Sequence, residues 1–201
     1  GEKLDYIEFL KSKQITIEPS GFDISLEELN PVLFDWQKDV VKWALRKGKA
    51  CLFEDCGLGK TPQQLEFAFQ VHKKTGGNVL ILAPLAVAKQ TQREGIKFGI
   101  EVNICRTQAD VKSGINITNY EMIEHFEADK FIGIVLDESS ILKNQTGKYK
   151  KLIIDMFKNT PYKLACTATP SPNDFMELGT HAEFLGIMTQ TEMLSTFFVH
   201  D

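Results

Sequence analysis

The chain has 201 residues and a net charge of −4, and 43% of its residues are hydrophobic. This is enough chain and enough apolar side chain for one domain with a full core, which excludes disordered, collagen-like and low-complexity proteins. The longest apolar run, residues 79–88, is about half as long as a membrane-spanning helix, so we expect no membrane partner.

Residues 1–30 are predicted to form a small helical extension. Apolar residues at positions 4, 7, 9 and 10 favour a short amphipathic helix, and a Pro-Ser-Gly turn follows at 19–21. We expect this extension to pack as a cap on a single domain formed by residues 31–201.

Beyond the extension, short β-branched runs alternate with longer amphipathic stretches. This pattern is typical of an α/β domain with a mostly parallel sheet and helices on both faces. Several runs are apolar nearly throughout, as expected of strands that are buried on both sides. The predicted strands span 50–53, 79–82, 101–105, 114–118, 132–136 and 162–166. The predicted helices span 36–47, 60–73, 86–98, 120–126, 146–159 and 174–185.

Residues 51–61 pass from a predicted strand through glycines into a predicted helix, which is the arrangement of a phosphate-binding loop. Gly57 and Gly59 allow the backbone amides to point at a phosphate, and the helix that follows adds its N-terminal dipole. Lys60 would reach the outer phosphates, and the Thr61 hydroxyl would ligate Mg²⁺. Glu54 occupies the position of the first glycine in the usual pattern, so a chance Gly-Lys-Thr at a strand–helix turn is the alternative.

A second segment, residues 133–138, is an apolar run that ends in Asp137 and Glu138. Carboxylates at the carboxyl end of a parallel strand face the crevice where open α/β sheets bind ligands. Asp137 could hold Mg²⁺, and Glu138 could orient and deprotonate an attacking water. The alternative is a solvated Asp-Glu pair at a strand end.

Together the two segments resemble the superfamily 2 helicases and translocases, especially the Swi/Snf-like branch and its phage-encoded relatives. The Swi/Snf-like loop typically reads Asp-Glu-Met-Gly-Leu-Gly-Lys-Thr, and residues 54–61 here read Glu-Asp-Cys-Gly-Leu-Gly-Lys-Thr. This match accounts for the missing first glycine and adds Leu58 to the expected ATP-binding loop. The resemblance implies a RecA-like P-loop fold, with Lys60, Asp137 and Glu138 as catalytic residues and ATP and Mg²⁺ as cofactors.

Other segments extend the resemblance over about residues 33–185. Residues 33–37 look like the family's adenine-recognising segment, with Gln37 to read the base; a helix cap at Asp35 followed by core aromatics is the alternative. Residues 82–85 and 117–121 resemble segments that touch the nucleic-acid backbone. They imply DNA contacts at Pro84, Thr118 and Asn119, against the alternative of a strand end and a helix cap.

The resemblance also implies residues that couple the ATP site to DNA. The acidic pair resembles the family's Asp-Glu-Ala-His, but Ser139 and Ser140 replace Ala-His, so Ser140 would substitute for the histidine. Lys143 is either a contact to DNA or to the second lobe, or a solvated lysine at a helix start. Residues 166–170 resemble the family's Ser/Thr-Ala-Thr segment, with Thr167 and Thr169 as coupling hydroxyls, although a plain loop is the alternative.

The implied function is the ATP-binding first lobe of a helicase or duplex-DNA translocase, which couples ATP hydrolysis to movement on DNA. The alternatives are a nucleotide-dependent interaction switch and the translocating subunit of a restriction-modification system. Nothing in the sequence resembles the family's second RecA-like lobe, so we expect that lobe as a partner and weak ATPase activity without it. The apolar run at 197–199 suggests that further chain covers it.

Four cysteines without Cys-x-x-Cys spacing are typical of reduced thiols. We therefore expect the protein in the cytoplasm, that of the host if it is phage-encoded.

Overall fold

A computed structural model describes residues 20–54, 59–138, 147–167, 183–186 and 197–200. The strands in these ranges are β1 Lys49–Glu54, β2 Val79–Ala83, β3 Val102–Ile104, β4 Ile115–Asn119, β5 Gly133–Asp137, β6 Tyr162–Thr167 and β7 Phe197–His200. The α-helices are α1 Asp35–Lys47, α2 Lys60–Thr75, α3 Ala88–Lys97 and α4 Gly147–Met156. In the described residues, no helix has the length and apolar character that crossing a membrane requires.

The strands form one sheet in the order β3-β4-β2-β5-β6-β1-β7, and every neighbouring pair is parallel. The α/β class and the six predicted strands are therefore confirmed. The seventh strand, β7, was not predicted: it contains the apolar run 197–199 and pairs with β1 at the edge of the sheet.

Alternation along the strands divides the apolar residues into two cores, one on each face of the sheet. On β1, Ala50 and Leu52 belong to the core that packs under α1 and α2. Cys51 and Phe53 belong to the other core, which includes Ile153 of α4. The prediction of helices on both faces is thus confirmed, because each face of a strand has its own apolar cover.

Two helix predictions differ from the structure. Residues 120–126 contain a 3-10 helix, Tyr120–His125, rather than an α-helix. The helix predicted over 86–98 is preceded by a 3-10 turn, Leu85–Val87, so that α3 begins only at Ala88.

The described part of the N-terminal extension packs against the end of α1. The backbone amides of Ser20, Gly21 and Phe22 donate to carbonyls of residues 45–47 at 2.9–3.3 Å. The helix predicted near residues 4–10 and most of the helix predicted over 174–185 lie outside the described residues.

Candidate functional site

Helix α2 begins directly after Gly59, whose φ of +77° lies in the left-handed region. A side chain at this position would be strained, and its Cβ would lie 2.7 Å from the Gln37 amide nitrogen. The glycine therefore lets the chain turn closely past Gln37 into the helix. Gly57 and Leu58, the other predicted loop residues, lie outside the described residues.

Lys60, in the first turn of α2, forms an ion pair with Glu138, which directly follows β5. The Lys60 side chain is only 10% exposed, whereas that of Glu138 is 35% exposed. Burial acts to lower the pKa of Lys60, but the hydrogen bond and charge of Glu138 outweigh it, so the pKa is raised overall and the ammonium form is favoured. Two predicted catalytic residues that are far apart in sequence thus meet at the carboxyl edge of the sheet.

The Asp137 carboxyl group lies beside this pair and is buried. Gln64 Nε2 donates to Asp137 Oδ1 at 3.0 Å, and the Tyr120 hydroxyl donates to the Asp137 carbonyl at 2.8 Å. Burial raises the pKa of Asp137, while the Gln64 hydrogen bond and the charge of Lys60 act to lower it. A carboxylate held in this way is in place to accept a cation.

The backbone is strained at the acidic pair. Glu138 has a φ of +53°, and no other described residue except glycines has a positive φ. Such a conformation costs about 1–3 kcal/mol and persists where surrounding contacts enforce it. The strain therefore coincides with the candidate catalytic carboxylate.

Glu54, in the place of the usual first glycine, is a buried structural residue of the site. It is fully buried at the end of β1 and accepts a hydrogen bond from Gln63 Nε2 at 2.9 Å. The same nitrogen of Gln63 lies 3.3 Å from the Gly59 carbonyl oxygen, which it can also bond. Glu54 and Gln63 thereby connect the end of β1 to the start of α2.

The Gln37 amide is bonded within the protein. Its Oε1 accepts from the Phe34 backbone N–H at 2.9 Å, and its Nε2 donates to the Gly59 carbonyl at 3.4 Å. The residue is only 4% exposed, so the side chain predicted to read adenine is buried. Reading adenine through both amide atoms would require both of these contacts to open.

The donor set at the carboxyl edge fits Mg²⁺. Thr61 is half-buried in the first turn of α2, and Asp137 and Glu138 contribute carboxylates from the end of β5. Hard oxygen ligands of this kind, together with phosphate oxygens and water, are what Mg²⁺ prefers. Thr61 and Asp137 would hold the ion with the phosphates of a nucleotide, and Glu138 would lie beside it.

Three of the four predicted DNA-contacting residues, Pro84, Thr118 and Asn119, lie at the ends of β2 and β4. Ala83 and Asn119 are register partners there, and Pro84 follows directly. Beside them lies a cavity of about 390 Å³. It is lined by Leu85, Ala88, Lys89, Ile104, Cys105, Arg106, Thr118, Asn119 and Met122.

The cavity contains a buried hydroxyl and two cations. Thr118 is 1% exposed, and its Oγ1 has no hydrogen-bond partner among the described residues. Lys89 and Arg106 are exposed residues of the same lining. The two exposed cations on this lining suit a phosphate group.

The coupling residues are described only in part. Thr167 ends β6 fully buried, and its hydroxyl has no hydrogen-bond partner in the described ranges. Thr169, Ser140 and Lys143 lie outside those ranges.

Sequence reasoning missed Gln63, Gln64, Lys89 and Arg106, because no motif includes them. Gln64 could have been found from helix periodicity. It lies one turn after Lys60 and therefore shares its face of α2.

The model of the SNF2-related domain matches residues 36–198 of the chain. Among curated relatives, the ATPase ISW2 of the ISWI chromatin-remodeling complex from Saccharomyces cerevisiae is 28% identical over 192 residues, covering 83% of this chain and 17% of that protein. The SWI/SNF-related matrix-associated actin-dependent regulator of chromatin subfamily A-like protein 1 of Xenopus tropicalis is 30% identical over 186 residues, covering 86% and 20%. The chain thus spans about a fifth of the length of these relatives.

Solved structures show the same fold. The Sulfolobus solfataricus SWI2/SNF2 ATPase core in complex with dsDNA aligns with a TM-score of 0.65 at 24% identity, covering 90% of this chain and 40% of that one. The UvsW helicase of bacteriophage T4 aligns with a TM-score of 0.61 at 16% identity, covering 98% and 67%. The expected RecA-like helicase fold is therefore confirmed.

Proposed function

Because the chain belongs to the SNF2-related domain family, we propose that it is the ATP-binding first lobe of an ATP-dependent DNA translocase or helicase. The observation that carries this proposal is the meeting of Lys60 with Glu138, beside the buried Asp137, at the carboxyl edge of a parallel sheet. A cation for phosphates, a carboxylate for a metal ion and a carboxylate for water are the parts that ATP hydrolysis requires.

Each residue has a distinct part in the proposed reaction. Lys60 binds the outer phosphates, and Thr61 and Asp137 hold Mg²⁺. When bound, Mg²⁺ neutralises phosphate charge and so favours phosphoryl transfer. Glu138 orients the attacking water and accepts its proton at a carboxylate oxygen.

The Lys60–Glu138 ion pair implies an exchange of partners when ATP enters. Lys60 is only 10% exposed and is held by Glu138. The phosphates would attract the ammonium group away from Glu138, which leaves that carboxylate available to water. Binding of the nucleotide thereby prepares the base for hydrolysis.

The cavity beside Thr118 supports DNA as the partner. Lys89 and Arg106 can neutralise backbone phosphates locally, although the net charge of the chain is −4. Duplex DNA is the form we propose, since the Sulfolobus solfataricus core of the same fold is described in complex with dsDNA. We further propose that a second lobe supplies the arginine that stabilises the transferring phosphoryl group.

Steady-state ATP hydrolysis by the purified protein, measured with and without duplex DNA, tests the proposal. We expect Glu138→Gln to bind ATP but to lose hydrolysis by at least about 10²-fold, because the base is removed while the shape is kept. A Glu138→Gln variant that hydrolyses ATP at the wild-type rate would contradict the assigned base. Strong DNA-stimulated hydrolysis by these 201 residues alone would contradict the proposal that a second lobe supplies the arginine.

A further inference from the structure

Gln64 is a buried glutamine beside the acidic pair that no motif of the sequence includes. It is fully buried in the second turn of α2, and its Nε2 donates to Asp137 Oδ1 at 3.0 Å. It lies four positions after Lys60, so the two side chains share one face of the helix. Helix α2 therefore contacts both members of the acidic pair, Glu138 through Lys60 and Asp137 through Gln64.

The two contacts differ in their electrostatics. Lys60 neutralises the charge of its partner, whereas the amide of Gln64 is neutral and leaves the negative charge of Asp137 in place. A neutral donor fixes the direction of a carboxylate without competing with a cation for it. A partner of this kind is what carboxylate ligands of metal ions usually have, since the ligands are themselves hydrogen-bonded.

We propose that Gln64 is a positioning residue that orients the Asp137 carboxylate toward a divalent cation bound with the nucleotide. This inference rests on the proposed function, because it assumes that ATP and Mg²⁺ bind at this edge. It goes further in assigning the affinity for the ion to a residue of α2 that does not contact the ion itself.

The alternative is that Gln64 only satisfies a buried carboxyl group, and the same helix offers a control for it. Gln70 is 3% exposed, and its Nε2 donates to Glu66 Oε1 at 2.7 Å. This is also a buried glutamine–carboxylate hydrogen bond on α2, but it joins the helix to the segment around Glu28 rather than to the acidic pair. Replacing Gln70 therefore removes a comparable buried hydrogen bond without altering the acidic pair.

The test measures ATP affinity of the purified protein by calorimetry over a series of Mg²⁺ concentrations, for wild type, Gln64→Met, Gln64→Leu and Gln70→Met. We expect Gln64→Met to raise by about tenfold the Mg²⁺ concentration that gives half of the maximal gain in ATP affinity. ATP affinity at saturating Mg²⁺ should stay within about twofold of wild type. Gln64→Leu, which also cannot donate to Asp137, should raise this Mg²⁺ concentration by a similar factor. Gln70→Met should keep the wild-type Mg²⁺ dependence.

The outcomes separate this inference from the proposed function. A folded Gln64→Met or Gln64→Leu variant that needs no more Mg²⁺ than wild type would overturn the inference alone. Equal losses of ATP affinity in EDTA and in saturating Mg²⁺ would also overturn it, because they show a structural role. A wild-type protein that binds no ATP at any Mg²⁺ concentration would overturn the proposed function, and the inference with it.

Discussion

Gly59 is the point where the backbone turns into α2, and its left-handed φ of +77° is poorly tolerated by any other residue. We expect Gly59→Ala to lower the free energy of unfolding by about 1–2 kcal/mol through backbone strain. It should also weaken ATP binding, because the new Cβ would displace the Gln37 amide, which is 2.7 Å away. Urea unfolding and ATP titration measure the two effects.

Gly76, at the other end of α2, is the matched control for this change. Its φ is +73°, but a Cβ there would meet nothing within 4 Å. Gly76→Ala should therefore lose similar stability and keep the wild-type ATP affinity. Equal ATP affinity in Gly59→Ala and Gly76→Ala would show that the contact with Gln37 has no part in binding.

Lys163 is a fully buried lysine whose protonation should change stability at alkaline pH. Its Nζ donates to the Phe184 carbonyl at 2.9 Å, and burial together with the nearby charge of Lys49 lowers its pKa to about 8. Between this value and the usual pKa of about 10.4, the unfolded chain binds more protons than the folded one, so this group makes stability rise with pH.

We expect the free energy of unfolding of Lys163→Met, minus that of wild type, to fall by up to about 3 kcal/mol between pH 7 and pH 10.5. Comparing the two proteins at each pH cancels the titration of tyrosines and cysteines elsewhere. Denaturant unfolding from pH 7 to 10.5 provides the measurement. A constant difference across this range would show that Lys163 titrates as it does in the unfolded chain.

At the level of single residues, motif reading located the predicted catalytic residues but not the contacts that hold them. Lys60, Asp137 and Glu138 follow from motif chemistry, and the structure brings them together. Gln64 has no motif, and the hydrogen bonds of Gln37 depend on how α1 lies against Gly59 at the start of α2. Such contacts depend on packing between elements, which sequence spacing alone does not give.

The ends of β2 and β4 form the candidate DNA surface, where Lys89 is an exposed cation of the cavity lining. We expect Lys89→Ala to weaken duplex-DNA binding and to reduce the slope of log affinity against log salt by about 1, because one phosphate contact is lost. Binding of a labelled duplex at several salt concentrations measures both quantities.

Lys130 is a suitable control for Lys89. It is exposed, but it precedes β5 and so lies toward the amino ends of the strands. Lys130→Ala should leave the affinity and the salt slope unchanged. If Lys89→Ala and Lys130→Ala change the DNA affinity and the salt slope equally, duplex DNA does not bind at the ends of β2 and β4.

Among the elements, six of the seven described strands were predictable, whereas β7 and some helical segments were not. Buried strands are recognised from continuous apolar runs, which holds for β1, β2 and β5. In the segment predicted as a helix over 120–126, the buried residues Tyr120, Ile123 and Phe126 recur every third position. This period fits a 3-10 helix, with three residues per turn, better than an α-helix.

At the scale of the whole molecule, strand order explains why the site forms where it does. Strands β1 and β2 follow each other in sequence, but β6 and β5 lie between them in the sheet. The connecting helix α2 must therefore pass over β6 and β5, which brings its first two turns to the acidic pair. The order of strands is set by long-range pairing, so the sequence predicted the sheet without predicting this crossing.

The central claim is that ATP binds through Lys60 at this edge of the sheet. Equilibrium titration of the purified protein with ATP and Mg²⁺, for wild type, Lys60→Ala and Lys73→Ala, tests it most directly. Lys73 is an exposed lysine near the other end of α2, so its removal controls for the loss of one positive charge. The account predicts saturable binding by wild type and Lys73→Ala and none by Lys60→Ala over the same concentrations. Binding by Lys60→Ala with wild-type affinity would contradict it.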